Sequence, residues 1–159
     1  MVPMIDPKEV DDFLALKRVA VVGASDDPKR FSGTIYRALK AHGHTVVPVN
    51  RTAVTVDGDE CYPSLSAVPG DLDGVLVMVH HDDSAQVVRE CVDRGVTRVW
   101  LFKGLGGASA VSDEAVDLCK KNDVTVVAGA CPLMFLEPVG FHKFHRAMRH
   151  LNGSLARAS

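Results

Sequence analysis

Five stretches of this chain are almost continuously apolar, and the first, third and fourth each lead through a loop into a segment of helical periodicity. They cover residues 18–24, 44–50, 74–80, 97–102 and 124–129 and are rich in valine. None alternates apolar and polar residues as a strand with one wet face does. Strands of this kind need cover on both faces, which is the situation of a parallel sheet whose crossover connections are helices. Those helices are legible. Residues 33–41 place Ile35, Ala38 and Leu39 on one face, a second helix runs from an Asp82-Asp83-Ser84 cap to about Arg94-Gly95, and a third runs from Ser112 to about Asn122. Asp6-Pro7, an N-cap followed by proline, opens a further helix to about Leu16. Right-handed crossovers then make an α/β, three-layer, Rossmann-like domain with a five-stranded, mainly parallel sheet. Asp57-Gly58 signals a short hairpin within residues 56–62. Phe141, Phe144, Met148 and Leu151 give a last helix its apolar stripe. The expectation is one domain over residues 1–159, with a core of about 16–131 and the first and last helices packed on it.

Composition narrows the function classes. A chain 47% hydrophobic and 24% charged is globular rather than disordered. No apolar run approaches the ~20 residues of a membrane span. The start, MVPMIDPKEVDDF, lacks the basic-then-apolar order of a secretion signal, so a cytoplasmic protein is expected. A net charge of −2 speaks against nucleic-acid binding. The local basic excess is Lys143, Arg146, Arg149 and Arg157, read either as a contact for an anionic ligand or as a solvated helix face. Four cysteines without CxxC spacing exclude a zinc ribbon and a thioredoxin motif, and Cys91 and Cys119 read as small core residues.

In a doubly wound sheet, ligands bind outside the carboxyl ends of the strands, where the strand order reverses. The segments at those ends are therefore the candidate site. The first, GASDDPKRFS, follows a buried strand. Gly23 permits a tight turn. The backbone N–H groups after it, and the helix start near Gly33, suit a pyrophosphate. Ala24, Ser25, Lys29, Arg30, Phe31 and Ser32 surround that position. The second segment reads Asn50-Arg51, where an NAD enzyme would place an acid for the ribose. Arg51 instead suits an extra phosphate, the 2′-phosphate of NADP or the 3′-phosphate of coenzyme A. Val79 and His80, then Phe102 and Lys103, then Cys131 follow the remaining strands. His80 and His81 are expected to point apart as strand neighbours, and His142 and His145 to share a polar helix face, so no metal site is expected. The loop KGLGGAS lacks the Walker pattern and reads as a ligand cover or as a flexible loop.

Val21-Val22-Gly23-Ala24-Ser25 with Pro28 and Arg30, then Pro48-Val49-Asn50, then Tyr62-Pro63-Ser64-Leu65, stand in an order that resembles the CoA-binding domain family. Its members are stand-alone relatives of the N-terminal domain of the succinyl-CoA synthetase α subunit. The resemblance implies a Rossmann-like fold with coenzyme A as ligand. It implies that Gly23, Ala24, Ser25 and Arg30 hold the nucleotide phosphates and that Asn50 lies against the adenosine. Family members often carry a cysteine after the fifth strand. Cys131 stands there, expected to face the crevice, and reads either as a partner for the CoA thiol in a mixed disulfide or as an inert buried thiol. The sequence departs from the family's usual pattern at Arg51, at His80-His81-Asp82-Asp83 and at Lys103-Gly104-Leu105. The reading is a non-catalytic CoA or acyl-CoA binding protein, with a homodimer or an unidentified protein partner left open. The alternatives are an NADP-binding oxidoreductase and a small component of an acyl-CoA ligase.

Overall fold

The computed structural model describes residues 5–104 and 109–136. In chain order its elements are α1 (Pro7–Leu14), β1 (Arg18–Val22), α2 (Ser32–Ala41), β2 (Thr45–Val49), β3 (Thr55–Val56), β4 (Asp59–Glu60), β5 (Gly74–Val77), α3 (His81–Asp93), β6 (Arg98–Phe102), α4 (Asp113–Lys121) and β7 (Thr125–Ala130). Five strands form one wholly parallel sheet in the order β2-β1-β5-β6-β7. β3 and β4 make a separate antiparallel ribbon. Asp57 (φ 52°) and Gly58 (φ 79°) at its tip are both left-handed, the geometry the Asp-Gly pair favours in a two-residue hairpin.

The continuous apolar runs are explained by cover on both faces. Val19, Val21, Leu76 and Trp100 point toward α1 and α2, while Ala20, Val22, Val75, Val77 and Leu101 point toward α3 and α4. Trp100 is fully buried; its Nε1–H donates to the Ala130 carbonyl at 2.9 Å, and Phe13 meets it edge-on at 5.4 Å. Cys91 and Cys119 are fully buried in the α3/α4 layer, as core residues. Burial pushes the Cys119 thiol up to about 11.

Two boundaries differ from expectation. β1 and β5 stop at Val22 and Val77, so His80 is not a strand residue. His80 is itself the N-cap of α3: its backbone is extended and its Nδ1 accepts the Asp82 N–H at 3.2 Å, the service expected of Asp82 or Asp83. Those two acids instead occupy the first turn, where they favour the helix dipole. Ser84 is buried and donates to the Ala110 carbonyl. The terminal helix expected from Phe141, with its basic residues and His142, His145 and His150, lies outside the described residues, as do residues 105–108 of the glycine-rich loop.

The ribbon is fastened to α2. Tyr36 is buried; its hydroxyl donates to the Asp59 carboxylate and lies 3.1 Å from the Val46 carbonyl. Lys40 Nζ pairs with Asp59 at 2.8 Å and Asp57 at 2.9 Å. The hydrogen bonds from Lys40 and then from Tyr36 hold the Asp59 carboxyl below its usual value, against a smaller opposing effect of burial. A carboxyl whose value is lowered on folding adds stability above its unfolded value of about 3.9 and loses it as pH falls through the folded value. Asp59→Asn is therefore expected to lower the urea midpoint at pH 7, with the deficit shrinking below about pH 4. A deficit that stays constant from pH 7 to pH 2 would contradict this account.

Candidate functional site

The strand order reverses between β1 and β5, because the chain goes from β1 outward to β2 and then returns to the other side of β1. A crevice of about 670 Å³ opens there, at the carboxyl ends of β1, β2 and β5. Its walls come chiefly from the turn after β1, the loop after β2 and the crevice-facing side of α3, with Met78 and Val79 after β5 at its floor and Pro63 and Ser64 at its rim.

The first wall rests on two glycines. Gly23 has φ 98°, and a side chain there would collide with the Met78 carbonyl. A Cβ on Gly33 would sit 2.5 Å from the Ser25 carbonyl. Together they let the turn lie flat against β5 and let α2 close up beneath it. The charged insertion between them is folded tightly rather than open. Ser25 Oγ accepts from the Asp27 N–H at 3.0 Å, Asp27 Oδ1 accepts from the Lys29 N–H at 2.9 Å, and Asp26 Oδ1 accepts from the Asp57 N–H at 2.9 Å. Gly23, Ser25 and Arg30 line the crevice. The helix start beside them carries no side-chain cap, because Phe31 occupies the N-cap position. Ser32 is 5% exposed, and its hydroxyl has no hydrogen-bond partner among the described residues. An uncapped helix start with a buried, unpaired hydroxyl fits an anion.

Asn50 and Arg51 bring the second wall into the crevice. Asn50 uses its carbonyl and one of its two amide N–H groups internally. Nδ2 donates to the Ala24 carbonyl at 2.8 Å, and Oδ1 accepts from Thr52 N at 2.9 Å and Ala53 N at 3.1 Å. It is a strut between the two loops, with one amide N–H left over on the crevice side. The Tyr62-Pro63-Ser64-Leu65 motif is explained by the same region. Tyr62 bridges in parallel to Val49, its N–H donates to Pro48, and its carbonyl accepts from Asn50 N at 2.9 Å. That pairing sets Pro63 and Ser64 at the rim.

The third wall was largely missed by sequence reasoning. His80 lines the crevice as expected, but so do Asp83, Gln86, Val87 and Glu90 of α3. Their spacing of three, one and three residues marks one helix face, a signal legible only once that face is known to look at the strand ends. Burial pushes the Glu90 carboxyl up, Arg51 pulls it back, and Asp93 adds to the rise. His80 and His81 do not point apart: their rings lie 4.0 Å from each other, and His81 Nδ1 lies 3.1 Å from the Asp82 carboxylate. The alternation rule fails because the chain has left the strand. All three are exposed and engaged with one another.

The profile of the family described as "CoA binding domain" matches residues 17–137. The chain belongs to that family. An uncharacterized protein of Bacillus subtilis, YneT, is 31% identical to this CoA binding domain over 115 residues, covering 72% of the chain and 82% of that protein. The α subunit of an ADP-forming acetate–CoA ligase from Pyrococcus furiosus is 28% identical over 128 residues, covering 77% of the chain. The chain spans only 28% of that subunit's length. A hypothetical protein from Pyrococcus horikoshii superimposes with a TM-score of 0.75 at 25% identity, covering 84% of this chain and 95% of the other.

Several residues expected at the site of this CoA binding domain sit elsewhere. Ala24 is fully buried and contributes its carbonyl to Asn50. Lys29 and Phe31 are exposed beside the turn without lining the crevice. Phe102 is buried on the α1/α2 side, and Lys103 is exposed and bridges to Ser109 at the far end of the sheet. Cys131 does not face the crevice. It is 8% exposed, in the cluster that holds Trp100 and Phe102, and burial raises its thiol pKa. The reason is topological: β6 and β7 lie beyond β5, away from the reversal point. Because Asn50 joins two walls, Asn50→Ala is expected to cost about 1–3 kcal/mol in urea unfolding and to weaken ligand binding together with stability. Unchanged stability would show that the strut carries no load.

Proposed function

We propose that this chain is a non-catalytic module that binds coenzyme A or an acyl-CoA, with the phosphates on the Gly23-Ala24-Ser25 turn. The observation that carries the reading is the anion cradle at the start of α2. The positive-φ Gly23, Ser25 and the Arg30 guanidinium line the crevice there, next to an uncapped helix start whose Ser32 hydroxyl is buried and unpaired among the described residues. Arg51 adds a second cationic point in the same crevice, as a ligand with a pyrophosphate and a separate ribose phosphate requires. Among the described residues the crevice holds no hydrogen-bonded Ser–His or Cys–His pair, and His80 Nδ1 is taken by the backbone of its own helix. The buried Cys131 with its raised thiol supports a non-covalent ligand rather than a mixed disulfide. Among the described residues no helix is long and apolar enough to cross a membrane.

A second reading, a component of an acyl-CoA ligase, is favoured by the acetate–CoA ligase relatives, of which this domain matches one segment. It predicts that a Pyrococcus furiosus α subunit carrying this domain in place of its own segment, assembled with its partner subunit, still forms ATP from acetyl-CoA, ADP and phosphate. An assembled but inactive chimera would leave the binding module as the better account.

Coenzyme A at a hundredfold excess over its Kd is expected to stabilise the protein by about 2.7 kcal/mol, a rise of roughly 5–10 °C in Tm, with NADPH giving no comparable shift. Arg30→Ala is expected to weaken CoA binding about tenfold in calorimetry. Native mass spectrometry is expected to show a CoA adduct that survives in Cys131→Ser. A shift with NADPH alone, or an adduct lost in Cys131→Ser, would overturn the corresponding part of the proposal.

A further inference from the structure

Resting on the coenzyme A reading above, the crevice carries a further assignment at its α3 wall. Glu90 lies in the second half of α3, half-buried, and lines the crevice that Arg51 enters from the loop after β2. Neither side chain makes a hydrogen bond or a direct ion pair with another described residue, yet the charge of Arg51 acts on the Glu90 carboxyl. The other charged groups facing this space are Arg30 at the phosphate end and Asp83 and His80 at the start of α3; Asp93 lies further along the helix. A partly desolvated carboxylate without a donor is costly, and a donor on a ligand relieves the cost. A phosphate placed on Arg51 faces that carboxylate, and a donor beside the phosphate is needed to offset their repulsion. Both conditions are met by a ribose that carries a phosphate on one carbon and a free hydroxyl on the next.

We propose that Glu90 and Arg51 read the ribose edge of coenzyme A as a pair: Glu90 accepts a hydrogen bond from the 2′-hydroxyl, and Arg51 holds the 3′-phosphate. Glu90 thereby supplies, from a helix, the ribose acid that the end of β2 lacks. Specificity at this edge then depends on two separable groups, one on each wall.

The test is calorimetry with adenosine 3′,5′-bisphosphate, its 2′-deoxy analogue and AMP, on the wild-type chain and on Glu90→Ala, Glu90→Gln and Arg51→Ala. The wild type is expected to lose at least about tenfold in Kd when either the 2′-hydroxyl or the 3′-phosphate is missing. Glu90→Ala should become indifferent to the 2′-hydroxyl while still preferring the 3′-phosphate, and Arg51→Ala should show the reverse. Glu90→Gln, which keeps a carbonyl acceptor, should retain part of the hydroxyl preference, so that a merely structural role for this position is told apart from recognition. Equal binding of the bisphosphate and its 2′-deoxy analogue by the wild type, or a Glu90→Ala chain that still separates them, overturns the pair while leaving the coenzyme A reading intact. If neither coenzyme A nor adenosine 3′,5′-bisphosphate binds the wild type, the coenzyme A reading falls, and the pair with it.

Discussion

The contact on which the rest of the site depends is the approach of Gly23 to the carbonyl of Met78. It brings the turn after β1 against the end of β5, where the strand order reverses. The Gly23 N–H also donates to the Val49 carbonyl at 2.8 Å, so one residue joins the ends of β1, β2 and β5. Any side chain would break both the φ of 98° and the approach. The crevice is therefore a product of sheet topology closed by a glycine.

The parallel sheet was legible because burial on both faces leaves continuous valine-rich runs, and those runs are long enough to stand out from helix periodicity. The turn was legible because Gly23 ends such a run. Individual contacts were less so. Sequence order places Phe102, Lys103 and Cys131 after strands just as it places Gly23 and Asn50, but only strand order decides which strand ends meet. With β6 and β7 on the far side of β5, their following residues face other surroundings. The α3 wall was hidden for the opposite reason: Asp83, Gln86 and Glu90 look like an ordinary solvated helix face until the helix is positioned. His80 illustrates a third limit. Its capping role comes from a ring nitrogen standing in for a carboxylate, a substitution that residue preferences rank low.

Polar groups near the crevice divide into those already spent and those still available. Asn50, Asp26, Asp27, Lys40 and Asp59 are spent: they bind the turn, the ribbon and α2 to one another. The clamp between Tyr36, Lys40 and Asp59 reaches the crevice through this chain of contacts, because the ribbon tip at Asp57 holds Asp26 in the turn after β1. Arg30, Arg51, Ser32 and Glu90 remain without side-chain partners among the described residues. A sequence alone lists both groups side by side, as polar residues in loops.

This division bears on how the domain can change. On the turn side, ligand-facing residues share their backbone with the struts that hold the sheet ends together, so substitution there disturbs folding as well as recognition. The α3 face is different. Asp83, Gln86 and Glu90 stand on a helix whose anchorage comes from its other side, through Val88, Cys91 and the buried Ser84. Their side chains are exchangeable at little cost to the scaffold. Side-chain change can accumulate on that helix while the turn after β1 is kept fixed by the demands of the fold.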